Sequence, residues 1–262
     1  VATKKKPGRP ERILAIDIGG TGLKAALIGA DGDMQSERLR VATPHPCTPQ
    51  QLVDTLAELV APLVAPPPTH VSIGFPGVVR NNRVLTAPNI GDASWRDFPL
   101  ADLLAARIGN PPVRMINDAE MQGLAAIEGH GIEFVLTLGT GAGTAIFRDG
   151  ELMPHLELAH HPVAKKKTYD EYIGNAAREK VGGKRWNRRV EKILGVLASL
   201  VNFDRLWIGG GNAVHLTFDL PANVGVVSNA AGIEGGARLW HPRSVRESRQ
   251  LPAANQRTGA FE

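Results

Sequence analysis

Apolar residues fall in short runs broken by glycine-rich elbows. The runs Ile13–Ile18 and Leu23–Ile28 flank a polar turn containing Asp17, Gly19, Gly20, Thr21, Gly22 and Lys24. Short β-rich runs around a glycine turn predict a hairpin. The same order recurs later, where Phe134–Leu138 and Thr144–Phe147 flank Gly139-Thr140-Gly141-Ala142-Gly143. Between the hairpins, Glu37–Val41 predicts a third strand. Leu52, Leu56, Leu59 and Leu63 recur at helical spacing and predict a helix over 50–64, stopped by Pro66–Pro68. His70–Phe75 predicts a buried strand, Gly74-Phe75-Pro76-Gly77 a turn, and Arg83–Leu85 an edge strand. A helix over 99–108 and a strand Val113–Ile116 follow.

A helix over 118–128 is expected, with Asn117 as N-cap and Asp118 as its first residue. Helices over 169–181 and 185–201 precede a strand Arg205–Ile208, which ends in Gly209-Gly210-Gly211-Asn212. Val224–Val227 predicts a last short strand, and Gly232–Leu239 the start of a final helix. Two halves that each open on a Gly/Thr hairpin predict a duplicated α/β protein with a cleft between the copies, where small ligands bind. The expected division is a basic, disordered arm over 1–11, a small domain over 12–117, a large domain over 118–241, and a tail or helix over 242–262 that packs back on the first domain.

Composition narrows the class. The chain has 262 residues, 43% hydrophobic and 21% charged, as in a globular protein. No apolar run reaches the roughly 18 residues that span a bilayer, and the first ten residues lack the apolar core of a secretory signal. The single Cys47 excludes an internal disulfide and a cysteine-rich zinc site. A cytoplasmic protein is expected. Net charge is +4, unevenly placed: residues 165–192 hold ten Lys and Arg against four Asp and Glu. At about 100° per residue, Trp186, Val190, Ile193, Leu197 and Val201 share one helix face, and Lys184, Arg185, Arg188, Arg189 and Lys192 share the opposite arc. Such crowding of like charge fits either a solvated face or a track for a polyanion.

The glycine turns carry the candidate chemistry. Successive backbone N–H groups in such turns form anion-binding concavities. A plain hairpin satisfies the first turn equally well, and no Gly-Lys-Ser/Thr follows it, so it is not a Walker loop. It does resemble the first phosphate motif of actin-like sugar kinases, Asp-x-Gly-Gly-Thr-x-x-Lys. The turns at 19–22, 139–143 and 209–212 then resemble the phosphate-1, phosphate-2 and nucleoside motifs of the actin-like ATPase (ribonuclease H-like) fold. Ala87-Pro88-Asn89, Asn117-Asp118-Ala119-Glu120, Leu156-Glu157-Leu158-Ala159-His160 and Asp170-Glu171-Tyr172 resemble the sugar-contact motifs of the bacterial repressor/kinase/open-reading-frame (ROK) family, over about residues 12–240.

That resemblance implies a sugar kinase with Asp118 as general base. It implies sugar contacts from Gly77, Asn89, Asn117, Asp118, Glu157, His160 and Glu171. Donor phosphate would meet Asp17, Gly19, Gly20, Thr21, Lys24, Thr140 and Gly141, and a nucleotide would meet Gly209, Gly210, Gly211 and Asn212. Asp17 would hold Mg2+ through water. Most of the family carries a zinc site of one His and three Cys after the Glu-x-Gly-His stretch, but here that place reads His160-His161-Pro162-Val163-Ala164-Lys165-Lys166-Lys167, so no zinc is expected. The basic replacement resembles the polyphosphate glucokinase branch. It implies a polyphosphate track of Lys165, Lys166, Lys167, Lys184, Arg185, Arg188 and Arg189, and phosphorylation of glucose and mannose at O6 from polyphosphate, ATP or both. An ATP-only kinase is the nearest alternative. A nucleic-acid-binding regulator is the other, disfavoured because only about a dozen residues precede Ile13. No membrane or nucleic-acid partner is expected, and the chain is expected as monomer or homodimer.

Overall fold

The computed structural model describes residues 11–241 except Asp92, Lys165 and Asn229. The expected arm and tail therefore lie outside the described residues, apart from residue 11, as does Lys165 of the basic run. The first half runs β1 (Ile13–Ile18), β2 (Gly22–Ile28), β3 (Leu39–Ala42), α1 (Pro49–Val60), β4 (His70–Phe75), a small ribbon of β5 (Val79–Arg80) and β6 (Arg83–Val84), α2 (Leu100–Arg107) and β7 (Val113–Asn117). The second runs α3 (Asp118–Ala126), β8 (Ile132–Leu138), β9 (Ala142–Arg148), β10 (Glu151–Leu152), a ribbon of β11 (Pro162–Ala164) and β12 (Lys167–Thr168), α4 (Tyr169–Ile173), α5 (Asn175–Val181), α6 (Gly183–Val201), β13 (Arg205–Gly209), β14 (Val224–Val226) and α7 (Ala231–Glu234).

The two main sheets repeat one plan. The first has the order β3-β2-β1-β4-β7 and the second β10-β9-β8-β13-β14. In each, an antiparallel hairpin supplies the middle strand, and two further strands add to it in parallel. The hairpin registers pair Asp17 with Lys24 and Thr137 with Gly143, so each Gly/Thr turn sits at the same end of its sheet. The central β1 and β8 are almost wholly buried, as strands covered on both faces must be.

One core packs α1 and α2 on the first sheet, and another packs α4 and α6 on the second. In α6 the apolar stripe is where the spacing predicts it: Trp186, Val190, Ile193 and Leu197 are buried, and the Trp186 indole donates to the Ile173 carbonyl at 2.7 Å. Helix α3 touches strands of both sheets. After β14 the chain returns to the first sheet, where Ile233 and Ala237 pack on Ile13, Ala15, Ala26 and Ile28.

Three sequence expectations are adjusted. The helix expected over 169–181 is two, α4 and α5, because Gly174 is extended between them. A Cβ there would lie 2.7 Å from the carbonyls of both Asp170 and Thr140, so the break lets the chain hug the second glycine turn. The helix expected from Gly232 begins at Ala231 and tightens into a 3-10 turn over Gly235–Leu239. Of the Lys165–Lys167 run, the two described residues belong to the β11–β12 ribbon: Lys166 has positive φ, and Lys167 opens β12.

Candidate active site

Asp118 opens α3, directly after β7. Its position is set by a reciprocal cap: the Asn117 side chain accepts from Ala119 and Glu120 N–H, and Glu120 Oε2 accepts from Asn117 N–H at 3.0 Å. The Asn117 Nδ2 donates to the carbonyls of Gly77 (3.1 Å) and Phe75 (3.4 Å), tying the start of α3 to the Gly77 turn. Both ends of the Asn117 amide are thus used in positioning. Asp118 itself is half-buried. Burial, then the negative charge of Asp17, and more weakly Glu157, push its carboxyl up to about 7, against a lowering contribution from the Ala119 N–H.

The first glycine turn is braced by the segment after β3. Gly19 N–H donates to Gly22 O at 3.0 Å, Thr43 Oγ1 to Gly19 O at 2.7 Å, and the His45 ring meets Gly20 O at 2.8 Å. Thr21 is exposed at the tip. Lys24 Nζ lies 2.7 Å from Asp17 Oδ2, so Lys24 folds back to the strand end and neutralises that carboxylate. The second turn repeats the geometry, with Gly139 N–H donating to Gly141 O at 2.9 Å. Asp170 Oδ1 accepts from Ala142 N–H at 2.7 Å, and a Cβ at 141 would lie 2.6 Å from that carboxylate, which would have to move. The third glycine turn, Gly209–Asn212, joins the second: Asn212 N–H donates to Leu138 O and Asn212 Nδ2 to Gly139 O. Gly210 has φ +83°, a conformation that suits glycine alone, and its neighbour Gly209 presses on Gln122 of α3.

Of the expected sugar contacts, Glu157 is the one whose charge reaches Asp118. Glu157 Oε1 accepts from Ala159 N–H at 3.1 Å. Burial pushes Glu157 up, but His155, the Ala159 amide and His160 outweigh it and leave the carboxyl below its ordinary range. His160 acts electrostatically on both Glu157 and Asp170, which favours it over His161 as the ring facing the site. Glu171 Oε2 closes the cap of α4 by accepting from Thr168 N–H at 3.0 Å. Asn89 is half-buried in the loop after β6.

The basic residues divide. Lys184 and Arg188 line a pocket of about 550 Å³ with Val214, His215, Thr217 and Phe218, the segment that follows the third glycine turn. Buried Asn187 braces it by bonding His215 O and Thr217 N–H. Lys184 and Arg185 stand in the first turn of α6, which has no acidic residue and no side-chain cap. Arg189 turns the other way, donating to Tyr172 O at 3.1 Å and lying over the Tyr172 ring.

Residues 13–160 match the ROK family. The chain belongs to the ROK family. It is 31% identical over 255 residues to a polyphosphate glucokinase of Mycobacterium tuberculosis (strain CDC 1551 / Oshkosh), covering 94% of this chain and 87% of that one. Among solved structures it is similar to the inorganic polyphosphate/ATP-glucomannokinase of Arthrobacter sp. strain KM, with a TM-score of 0.79 and 32% identity over 87% of this chain and 97% of that one. A ROK family glucokinase from Streptomyces griseus, in complex with glucose and AMPPNP, shares the fold at a TM-score of 0.72 and 23% identity, covering 87% of this chain and 98% of that one. The chain is thus a ROK sugar kinase of actin-like fold, in the polyphosphate glucokinase branch.

Two features of this ROK site escaped the motif reading. Glu120 caps α3 through the Asn117-x-x-Glu120 spacing, a capping-box signature that the sequence displays. His155 joins Glu120 to Glu157, and no local signal announces it, because the contact spans 35 residues. Among the described residues no helix is long and apolar enough to cross a membrane.

Proposed function

We propose that this ROK sugar kinase phosphorylates glucose, and mannose, at O6 from inorganic polyphosphate or ATP with Mg2+, with Asp118 as general base. The observation that carries the reading is the convergence of an Asp118 carboxyl tuned to about 7 with two phosphate-type turns, one from each sheet. A base tuned near the working pH can accept the sugar hydroxyl proton and release it afterwards. The named relatives support the choice of sugar and donor.

Each group then has a task. Glu157, His160, Glu171 and Asn89 would hydrogen-bond sugar hydroxyls, and Gly77 would approach with its backbone. Asn117 orders both Gly77 and Asp118. The hydroxyl that reacts would hydrogen-bond Asp118 Oδ, which takes its proton as the oxygen attacks the terminal phosphorus; the bond from that phosphorus to the bridging oxygen breaks, and ADP or a polyphosphate one unit shorter leaves. The N–H groups and hydroxyls of Thr21 and Thr140 hold the transferring phosphoryl group from opposite sides. Positioning and charge neutralisation supply most of the rate in such transfers.

The residues fit a magnesium ion held mainly by donor phosphates. Mg2+ keeps several waters and needs only one or two carboxylates, and the negative charge of Asp17 already acts on Asp118, so a cation between donor phosphates and Asp17 would be favoured there. Asp17 would hold it, and the ion would neutralise phosphate charge.

Donor choice follows from the pocket beside α6. Lys184 and Arg188 supply cations, and the α6 N-terminus adds its partial positive charge, a combination suited to a chain of phosphates. Val214 and Phe218 in the same lining suit a nucleoside instead, so both donors would occupy overlapping space. A coupled assay for glucose 6-phosphate, run with Mg2+ and either ATP or polyphosphate, tests the reading, with mannose as second acceptor. Turnover with polyphosphate is expected. Turnover with ATP alone would return the basic face to a solvated one, and silence with both donors would overturn the proposal.

A further inference from the structure

We infer that His155 is a positioning residue of the sugar site: held between Glu120 and Glu157, it fixes the sugar-facing carboxylate to the capped start of the helix that carries Asp118. This rests on the roles proposed above for Glu157 and Asp118. His155 Nδ1 lies 2.8 Å from Glu120 Oε1, and its Nε2 lies 3.5 Å from Glu157 Oε2. The three side chains are only 8% (Glu120), 15% (His155) and 30% (Glu157) exposed. Glu120 uses its other oxygen on Asn117 N–H, and Glu157 uses its other oxygen on Ala159 N–H. A continuous set of contacts therefore runs from Ala159 through Glu157, His155 and Glu120 to Asn117, the residue before Asp118.

Each link has a reason to be charged. The hydrogen bond to Glu120, then the close approach of the Glu157 carboxylate, outweigh burial and raise the His155 ring to about 9, so it is an imidazolium at neutral pH. That cation offsets two carboxylates in a site already crowded by Asp17, Asp118 and Asp170. Removing one partner of a buried ion pair leaves an uncompensated charge, which is far costlier than never building the pair. Both ring nitrogens face carboxylates, so the ring acts through Glu157 and does not itself take a sugar hydroxyl. The Nε2 contact is an ion-pair approach without hydrogen-bond geometry. Glu157 therefore keeps capacity on Oε2 for a sugar.

The test is steady-state kinetics on the full chain with His155→Gln, Glu157→Gln and the double variant. The expected result is a rise of about tenfold or more in the glucose KM of His155→Gln with the donor KM unchanged, since small misplacements at a reacting centre cost this much. In the Glu157→Gln background the same change should add less than about twofold, because coupled residues are non-additive. A glucose KM within about twofold of the unmodified enzyme, together with a lower Tm, would make His155 a packing residue and overturn the inference. Nitrogen NMR of the unmodified enzyme keeps the inference testable where the variant fails to fold: both ring nitrogens protonated at pH 8 is expected, and a neutral ring overturns it. No glucose turnover by the unmodified enzyme would overturn the kinase reading itself, and the inference with it.

Discussion

Gly20 and Thr140 meet across the cleft: a Cβ on Gly20 would lie 3.2 Å from Thr140 Oγ1. One belongs to the turn of the first sheet and the other to its counterpart in the second. The duplication thus brings the two glycine turns to one small volume, and the charge of Asp17 beside the first reaches Asp118 of the intervening helix. A branched side chain at 20 should hold the turns apart. Gly20→Val is expected to lower kcat about a hundredfold with either donor, by misplacing the groups that hold the phosphoryl. Glucose affinity by calorimetry should stay near that of the unmodified enzyme.

Gly141 is packed still more tightly. A Cβ there would lie 2.6 Å from both carboxylate oxygens of Asp170, whose Oδ1 holds the Ala142 N–H. Gly141→Ala should break that bond, lower the Tm and raise the KM for both donors. Comparing melting curves and donor titrations against Gly20→Val separates the two: only the change at 141 should cost substantial stability.

The basic helix makes a prediction about donor choice. Lys184 and Arg188 line the pocket, whereas Arg189 is engaged with Tyr172. Lys184→Glu with Arg188→Glu should weaken polyphosphate use more than ATP use, and the difference should shrink as salt rises, since polyanion binding releases counterions. Arg189→Glu should act chiefly on stability. Equal loss with both donors at every salt concentration would leave the helix a purely structural role.

These predictions also mark what the chain's pattern reveals. The alternation of apolar runs and glycine elbows placed both hairpins and the repeat, because a buried central strand must be apolar along its length and its turn must not be. The cap at Asn117 was readable for a similar reason, being a local bond of fixed spacing. Gly174 gives no sign of a helix break in the local spacing, since one of the two carbonyls that crowd it belongs to the second turn, 34 residues away. The ring of His155 was silent for the same reason. Nor could spacing on α6 tell Arg188, which lines a pocket, from Arg189, which grips Tyr172.

Acidity around Asp118 sets a pH dependence with a definite sign. Burial and the charge of Asp17 raise the carboxyl from 3.8 to about 7. A base works only when ionised, so kcat/KM for glucose should fall about tenfold per unit below pH 7 and level off above it. Stability runs the other way. Between pH 3.8 and about 7 the folded protein keeps a proton that the unfolded chain has lost, so the contribution of Asp118 to stability declines as pH rises through that window. Asp118→Asn should therefore raise the Tm more at pH 8 than at pH 5.

The same substitution tests the central claim most directly when glucose binding and turnover are measured on one preparation with polyphosphate and Mg2+. Asp118→Asn is expected to bind glucose within about threefold of the unmodified enzyme and to lose turnover by about two to four orders of magnitude, the usual contribution of a positioned base. Turnover within about tenfold of the unmodified enzyme would remove Asp118 as the base.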